Sequence, residues 1–270
     1  QFEKMETIAK YVEQEYDSEK TIGEEDILSL ISLGIEQAYE DFMGFNRSDI
    51  KFYCVGYSVV RYFMNGYPMG NLEDHKAKNI GADLIATFLP DDVVDGLYKA
   101  VEFAGLTVAN LTLEPIAAIQ VAIPEKYRML NMALVDVGAG TSDISITQGG
   151  SIIAYGMIPM AGDSMTELIL QHCLTDFETA EKIKRAALTE DIIEFQDIMG
   201  LTQQITREEV LEVVNPAVMQ MTGQVSDCIR ELNGDKPVSA VFVVGGGGKI
   251  PGYSEALAAQ LGIQKERVAL

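Results

Sequence analysis

The chain of 270 residues is short of the groups that most often do chemistry or bind polyanions. It has two histidines, His75 and His172, far apart in sequence, and ordinary packing or surface placement is the expectation for each. Its three cysteines, Cys54, Cys173 and Cys228, are widely spaced, and no C-x-x-C occurs. A zinc site or a disulfide framework needs closer or paired spacing, so the thiols read as small buried or half-buried side chains in a reducing compartment. Basic residues are scarce too: 20 Lys and Arg stand against 41 Asp and Glu, a net charge of −21. That balance argues against nucleic acid as a partner and against direct docking on anionic lipid. It is the ordinary solubilising excess of a cytoplasmic protein. No apolar run approaches the roughly 18 residues of a membrane span, and there is no signal peptide.

What the chain does have is apolar surface, 47% of its residues, enough for a sizeable core. Its length fits two lobes, or one lobe with insertions. It opens on Gln1 rather than methionine and reads as a piece of something longer.

The stretch L-V-D-V-G-A-G-T-S-D-I-S-I-T, Leu134 to Thr147, organises the rest. An apolar run from Met132 ends on Asp136, glycines follow at Gly138 and Gly140, and alternation resumes after Asp143. Period-two alternation on both sides of a glycine turn predicts a hairpin with a carboxylate at each side of its tip. Gly138 and Gly140 are free to take positive φ, and successive N–H groups in such a turn make an anion nest suited to phosphate. Two carboxylates beside a phosphate call for a cation between them, and hydrated magnesium fits.

Along the chain, residues 2–16 read as a polar helix or a strand-to-helix entry. Ile27, Leu30, Ile31, Gly34, Ile35, Ala38 and Phe42 mark an amphipathic helix ending near Gly44. Strands are expected from Asp49 to Phe63, with a hairpin turn at Asn65-Gly66, a polar loop over His75 to Asn79, and another strand over Ala82 to Leu89. A helix follows Pro90, a short strand runs from Leu106 to Leu113, and Pro115 starts a helix with Glu114 at its mouth. That carboxylate either complements the helix dipole or orients a water for attack on phosphate. A third strand, Ser151 to Met157, leads through Gly162 and Asp163 into helices, and on the second of these Glu181, Lys184 and Arg185 share a face. Thr206 to Glu209 is a capping box opening a long helix. Val238 to Val244 is a buried strand ending in Gly245-Gly246-Gly247-Gly248-Lys249.

Neither glycine stretch is one of the common phosphate loops. Asp143 stands where a dinucleotide fingerprint needs glycine, and a strand rather than a helix follows. Ile250 replaces the P-loop serine or threonine, and Val243 its first glycine.

Taken in order, E-P-I-A-A, D-V-G-A-G-T-S-D-I and V-V-G-G-G-G-K-I-P-G resemble the nucleotide-binding signature of the actin-like ATPase superfamily. Within it, the stretch from about Gly81 to the end is most similar to the cell-division protein FtsA and its pilus relative PilM. The resemblance implies an α/β, ribonuclease-H-like fold with a complete second lobe and part of the first. It divides the chain into residues 1–89, a partial FtsA-like small α/β subdomain; 90–130, the remainder of the first lobe and a connecting helix; and 131–270, the second lobe, with a hairpin and helix insertion at about 188–232. It also implies ATP and magnesium as ligands. Asp136 would hold magnesium through water, with Asp143 as second choice behind a role in securing the hairpin. Gly138, Gly140 and Thr141 would wrap the phosphates, and Glu114 would help position the attacking water. Gly162 and Asp163 would lie by the ribose, although Ala161 replaces a usual glycine. Glu181 and Lys184 would contact adenine and ribose, and Gly246, Gly247 and Gly248 would lie under the base and α phosphate.

The superfamily's first lobe opens with its own D-x-G hairpin, and nothing in residues 1–50 supplies one. Weak ATP binding and little or no hydrolysis are therefore expected of this piece. By resemblance its parent is a nucleotide-switched adaptor or filament subunit of bacterial division, at the inner face of the membrane. Its partners would be further copies of itself and a tubulin-like division protein. The alternatives are a chaperone, reactivase or PilM-like ATPase, and a scaffold that has lost nucleotide binding.

Overall fold

Ile8, Lys10, Val12, Gln14 and Tyr16 turn inward while the residues between them face solvent. That period of two makes a strand, β1 (Glu6–Thr21), where a polar helix or a strand-to-helix entry was expected. The glutamates that suggested a helix occupy the exposed face. The computed structural model describes residues 6–46, 50–109 and 111–270. They fall into two compact units, one running up to Gln120 with Gln148–Ile153, the other comprising Val121–Thr147 and Ala154–Leu270.

In the first unit, helix α1 (Glu24–Phe45) lies on a sheet of β1, β2 (Phe52–Met64), β3 (Tyr67–Met69) and β4 (Lys76–Pro90), in the order β1-β4-β2-β3. Asn65 and Gly66 both have positive φ, the backbone of the two-residue hairpin turn anticipated there. Strand β4 begins at Lys76, so most of the polar loop expected over His75 to Asn79 is strand: these polar residues pair with both β1 and Asn65. Leu30, Ala38, Phe42, Val12, Leu84 and Phe88 form the core between helix and sheet. Gly34 brings α1 down onto the sheet, since a Cβ there would overlap the Leu84 side chain.

Helix α2 (Asp91–Phe103) follows, with only Val94 buried, and then α3 (Glu114–Ala122). The strand expected from Leu106 to Leu113 is absent among the described residues there. Leu113 packs against Gly56, where a built Cβ would overlap its side chain. Part of the expected Asp49 strand start lies outside the described residues.

Tyr16 donates to Asp26 at 3.1 Å, beside Lys20. Burial, with that hydrogen bond, pushes its phenol up to about 12. A raised folded-state value means that the stabilisation is complete below the ordinary value of 10.0 and is lost as pH rises to about 12. Urea midpoints measured across this window should fall for the wild type and fall less steeply for Tyr16→Phe.

The second unit carries five strands, β5 (Met132–Val137), β6 (Ser142–Gln148), β7 (Ser151–Ile158), β10 (Ala240–Val244) and β11 (Val268–Ala269), in the order β11-β10-β5-β6-β7. β5 and β6 are antiparallel, whereas β10 runs parallel to both β5 and β11. This is the ribonuclease-H-like arrangement implied by the resemblance. Central β5 is buried except at Asp136, as a strand covered on both faces must be. Helices α4 (Gly162–Cys173), α6 (Arg207–Leu232) and α7 (Tyr253–Leu261) pack together, and α5 (Phe177–Ala186) packs on α4. The capping box forms at α6, with Thr206 Oγ accepting from Glu209 N at 3.2 Å and Glu209 Oε2 accepting from Thr206 N at 2.9 Å. Strands β8 (Ile192–Gln196) and β9 (Thr202–Thr206) make a separate two-stranded sheet.

Candidate functional site

The β5–β6 hairpin ends in a tight tip where Gly138 N donates to Thr141 O at 3.0 Å. Neither Gly138 nor Gly140 uses its freedom to take positive φ. Closeness rather than handedness calls for glycine at 138, where a Cβ would stand 3.2 Å from the Thr141 carbonyl. Gly140 has open space around it. Among the described residues, the N–H groups of Ala139, Gly140 and Thr141 meet no backbone acceptor, and successive donors of this kind are the makings of an anion nest.

Below the tip, Asp136 and Asp143 are direct cross-strand partners, both half-buried. Opposed residues of an antiparallel pair project to the same face, and like charges there destabilise the pair. Thr141 Oγ lies 3.4 Å from Asp143 Oδ2, a long contact that ties this acid to the turn. No group of three His, Cys, Asp or Glu side chains among the described residues could hold a metal by itself. Two facing carboxylates suit magnesium, which keeps much of its shell as water and ligand phosphate.

Two backbone hydrogen bonds fasten the tip to α4: Gly162 N to Gly138 O at 3.1 Å, and Asp163 N to Ala139 O at 2.8 Å. A Cβ at Gly162 would sit 3.1 Å from that carbonyl and 3.3 Å from Lys184 Nζ. Ala161, standing where a second glycine is usual, has extended backbone with φ −160°, which any residue adopts.

The glycine run after β10 closes the other side. Gly245 has φ +86°, and a Cβ there would strike the Asp136 carboxylate and the Val137 carbonyl. Gly247 lies over Val137, and Gly248 is buried on Val243, where a Cβ would be 2.5 Å from Cγ1. A 3-10 turn, Gly247–Lys249, then carries Lys249 to the rim.

Between these elements lies a cavity of about 460 Å3, within the range of small-ligand pockets. Of the residues singled out from sequence, Gly138, Gly162, Asp163, Glu181, Lys184, Gly246 and Gly247 line it. Gly140, Thr141, Asp136, Asp143 and Gly248 belong to the same hairpin and glycine loop but not to the lining. Glu114 is the exposed first residue of α3 and falls in the other compact unit.

Sequence reasoning placed Arg185 on the Glu181–Lys184 face, which lines the cavity, and missed Ala139, Met165, Leu188, Lys249 and Ile250 as lining residues. The signal for Leu188 was present: from Glu181, positions 184, 185 and 188 fall at the spacing of one helix face. Arg185 and Lys249 have no ion-pair partner among the described residues, whereas Lys184 binds Glu181 at 2.6 Å. In a chain of net charge −21, unpaired cations at one cavity make it a place for an anion. Missed as well was Thr166, fully buried behind Glu181 and Lys184.

Comparison with known proteins agrees with this geometry. The family described as cell division protein FtsA matches residues 133–269, half of the chain. FtsA of Bacillus subtilis (strain 168) is 26% identical over 169 residues, covering 59% of this chain and 38% of that protein. FtsA of Escherichia coli (strain K12) is 29% identical over 151 residues, covering 53% and 36%. The chain thus spans well under half the length of these relatives. Among solved structures, the PilM-PilN type IV pilus biogenesis complex superposes with a TM-score of 0.63 at 16% identity, over 97% of this chain and 68% of that one. MreB 5 of Spiroplasma citri, bound to AMPPNP, superposes with a TM-score of 0.52 at 22% identity, over 64% and 58%. Both share the actin-like ATPase fold seen here, and by the match over β5 to β11 the chain belongs to the FtsA family.

Proposed function

We propose that the cavity is a nucleotide site and that the chain serves as the nucleotide-responsive part of an FtsA-type protein in bacterial cell division. One observation carries this reading: the hairpin tip at Gly138 and Ala139, the glycine loop at Gly246 and Gly247, and the cations Arg185 and Lys249 line a single cavity, and the facing carboxylates stand on the same hairpin. Magnesium-ATP has the complementary chemistry. Its phosphates suit the N–H groups at the hairpin tip and the cations Arg185 and Lys249, and its magnesium suits Asp136, with Asp143 opposite. Gly246 and Gly247 leave bare backbone for the nucleoside. The nucleotide found on the MreB 5 structure is consistent with such a site.

In the whole protein this site would switch an adaptor or a filament subunit at the cytoplasmic face of the membrane. Its partners would be copies of itself and a tubulin-like division protein. A PilM-like adaptor is the second reading, favoured by the superposition of the PilM-PilN complex over 97% of the chain. Polymers seen by electron microscopy with ATP would favour the first reading.

The direct test is thermal unfolding with millimolar magnesium-ATP. A ligand at about ten times its Kd adds about 1.4 kcal/mol, or about 2–4 °C for a chain of this size. The wild type should show that shift and Asp136→Ala should not. An equal shift in both proteins, or none in the wild type, would remove the nucleotide reading.

A further inference from the structure

A second cavity, of about 440 Å3, opens on the other face of α4, between that helix, α6 and the link at Pro159 and Met160 that leads into α4. Gly162, Asp163 and Met165 of α4 line the first cavity, whereas Ser164, Glu167 and Leu168, about half a turn around the helix, line this one. The two cavities share α4 and no lining residue. From α6 come Pro216, Gln220 and Gln224, four residues apart and therefore on one face.

Four polar side chains meet here: the Ser164 hydroxyl, the Glu167 carboxylate and the carboxamides of Gln220 and Gln224. None has a hydrogen-bond or ion-pair partner among the described residues. Each carries an oxygen that accepts hydrogen bonds. No lysine, arginine or histidine lines the cavity, so an anion would meet only the like charge of Glu167. A cation with several N–H groups is the complementary ligand. No aromatic ring lines the cavity either, and a quaternary ammonium, which has no N–H and binds through ring faces, is not served. The apolar wall of Met160, Leu168 and Pro216 suits methylenes. Gln220 and Gln224 stand about 6 Å apart along the helix axis, a span that about four methylenes between two amines cover.

We infer that this cavity binds a short aliphatic diamine, its ammonium groups on the Glu167 carboxylate and the carboxamide oxygens of Gln220 and Gln224, its methylenes against Leu168 and Pro216. The site does not depend on the nucleotide reading, because no residue serves both cavities.

Calorimetric titration of the chain with butane-1,4-diamine, in about 0.15 M salt to screen diffuse attraction and without nucleotide, tests it. The wild type should bind the diamine saturably, and butylamine, with a single ammonium, about fivefold or more weakly. Glu167→Gln should weaken diamine binding about fivefold, the upper end for an exposed ion pair. Gln220→Leu, of similar size without the acceptor, should weaken it about threefold. Both positions are exposed, so the variants should keep the wild-type urea midpoint. Glu36→Gln removes the same charge from an exposed position on α1 and should leave binding within about twofold of wild type. Equal weakening in Glu167→Gln and Glu36→Gln would mean a loose counter-ion cloud around an acidic chain and would overturn the inference. So would a wild type with no saturable binding, butylamine bound as tightly as the diamine, or unchanged affinity in Glu167→Gln and Gln220→Leu.

Discussion

Gly245→Ala should lower the stability of this chain by about 3 kcal/mol, while Gly246→Ala, one residue on, should leave it unchanged or slightly raised. The two glycines sit in one loop and differ in two physical respects. Gly245 has φ +86°, where an L side chain costs about 1–2 kcal/mol. Its Cβ would also strike the Val137 backbone and the Asp136 side chain, and a backbone carbonyl cannot rotate away as a flexible side chain can. Overpacking of that kind adds about 1–3 kcal/mol. Gly246 has φ −69° and ψ −38°, ordinary right-handed backbone, with no atom within 4 Å of a built Cβ. Alanine at such a site stabilises by restricting the unfolded chain. Gly246 also lines the cavity, so its methyl should weaken ATP binding in a protein that folds normally. Urea unfolding, read at the midpoint with the slope unchanged, separates the two cases. Equal loss at both positions would show that the loop needs glycine for general flexibility and not for close approach to β5.

Phe88→Ala should cost about 3–5 kcal/mol, the usual range for removing a fully buried aromatic ring. Phe88 stacks on Phe42 with centroids 5.6 Å apart and planes 5° apart, and lies 5.7 Å from Tyr39. Its ring joins α1 to β4, and neither side can close the gap without moving a fifteen-residue strand or a whole helix. Tyr53→Ala, on the neighbouring strand but 50% exposed, is the control and should cost about 1 kcal/mol or less. Comparable losses at the two positions would mean that the sheet, not the helix-facing core, limits stability.

Much of this was legible in the chain, and what was not has identifiable causes. The hairpin from Met132 to Gln148 was legible because period-two alternation, a glycine turn and two acids agree with one another. The α6 capping box was legible because its partners are three residues apart. β1 was misread because its inward apolar residues Ile8, Val12 and Tyr16 stand four apart, a spacing that one face of a helix and one face of a strand share, and the glutamates between them favoured the helix. Leu106 to Leu113 failed differently. Its composition favours a strand, but a strand needs a partner edge, and composition says nothing about which edge is open.

The sequence by itself determined the hairpin with its two carboxylates and the positions of both glycine runs, and its resemblance to the actin-like ATPases implied the ribonuclease-H-like lobe. Hairpin and glycine runs depend on residues within a few positions of one another, where periodicity and steric freedom decide the outcome. Only the tertiary structure decided which glycines line the cavity, that Arg185 and Lys249 line it together, and that Lys184 binds Thr166, the Gly162 carbonyl and Glu181 of its own chain. Those are properties of how α4, α5 and the Gly245 loop converge on β5. An ammonium's partners are set by distances between elements far apart in the chain, and local spacing does not encode them.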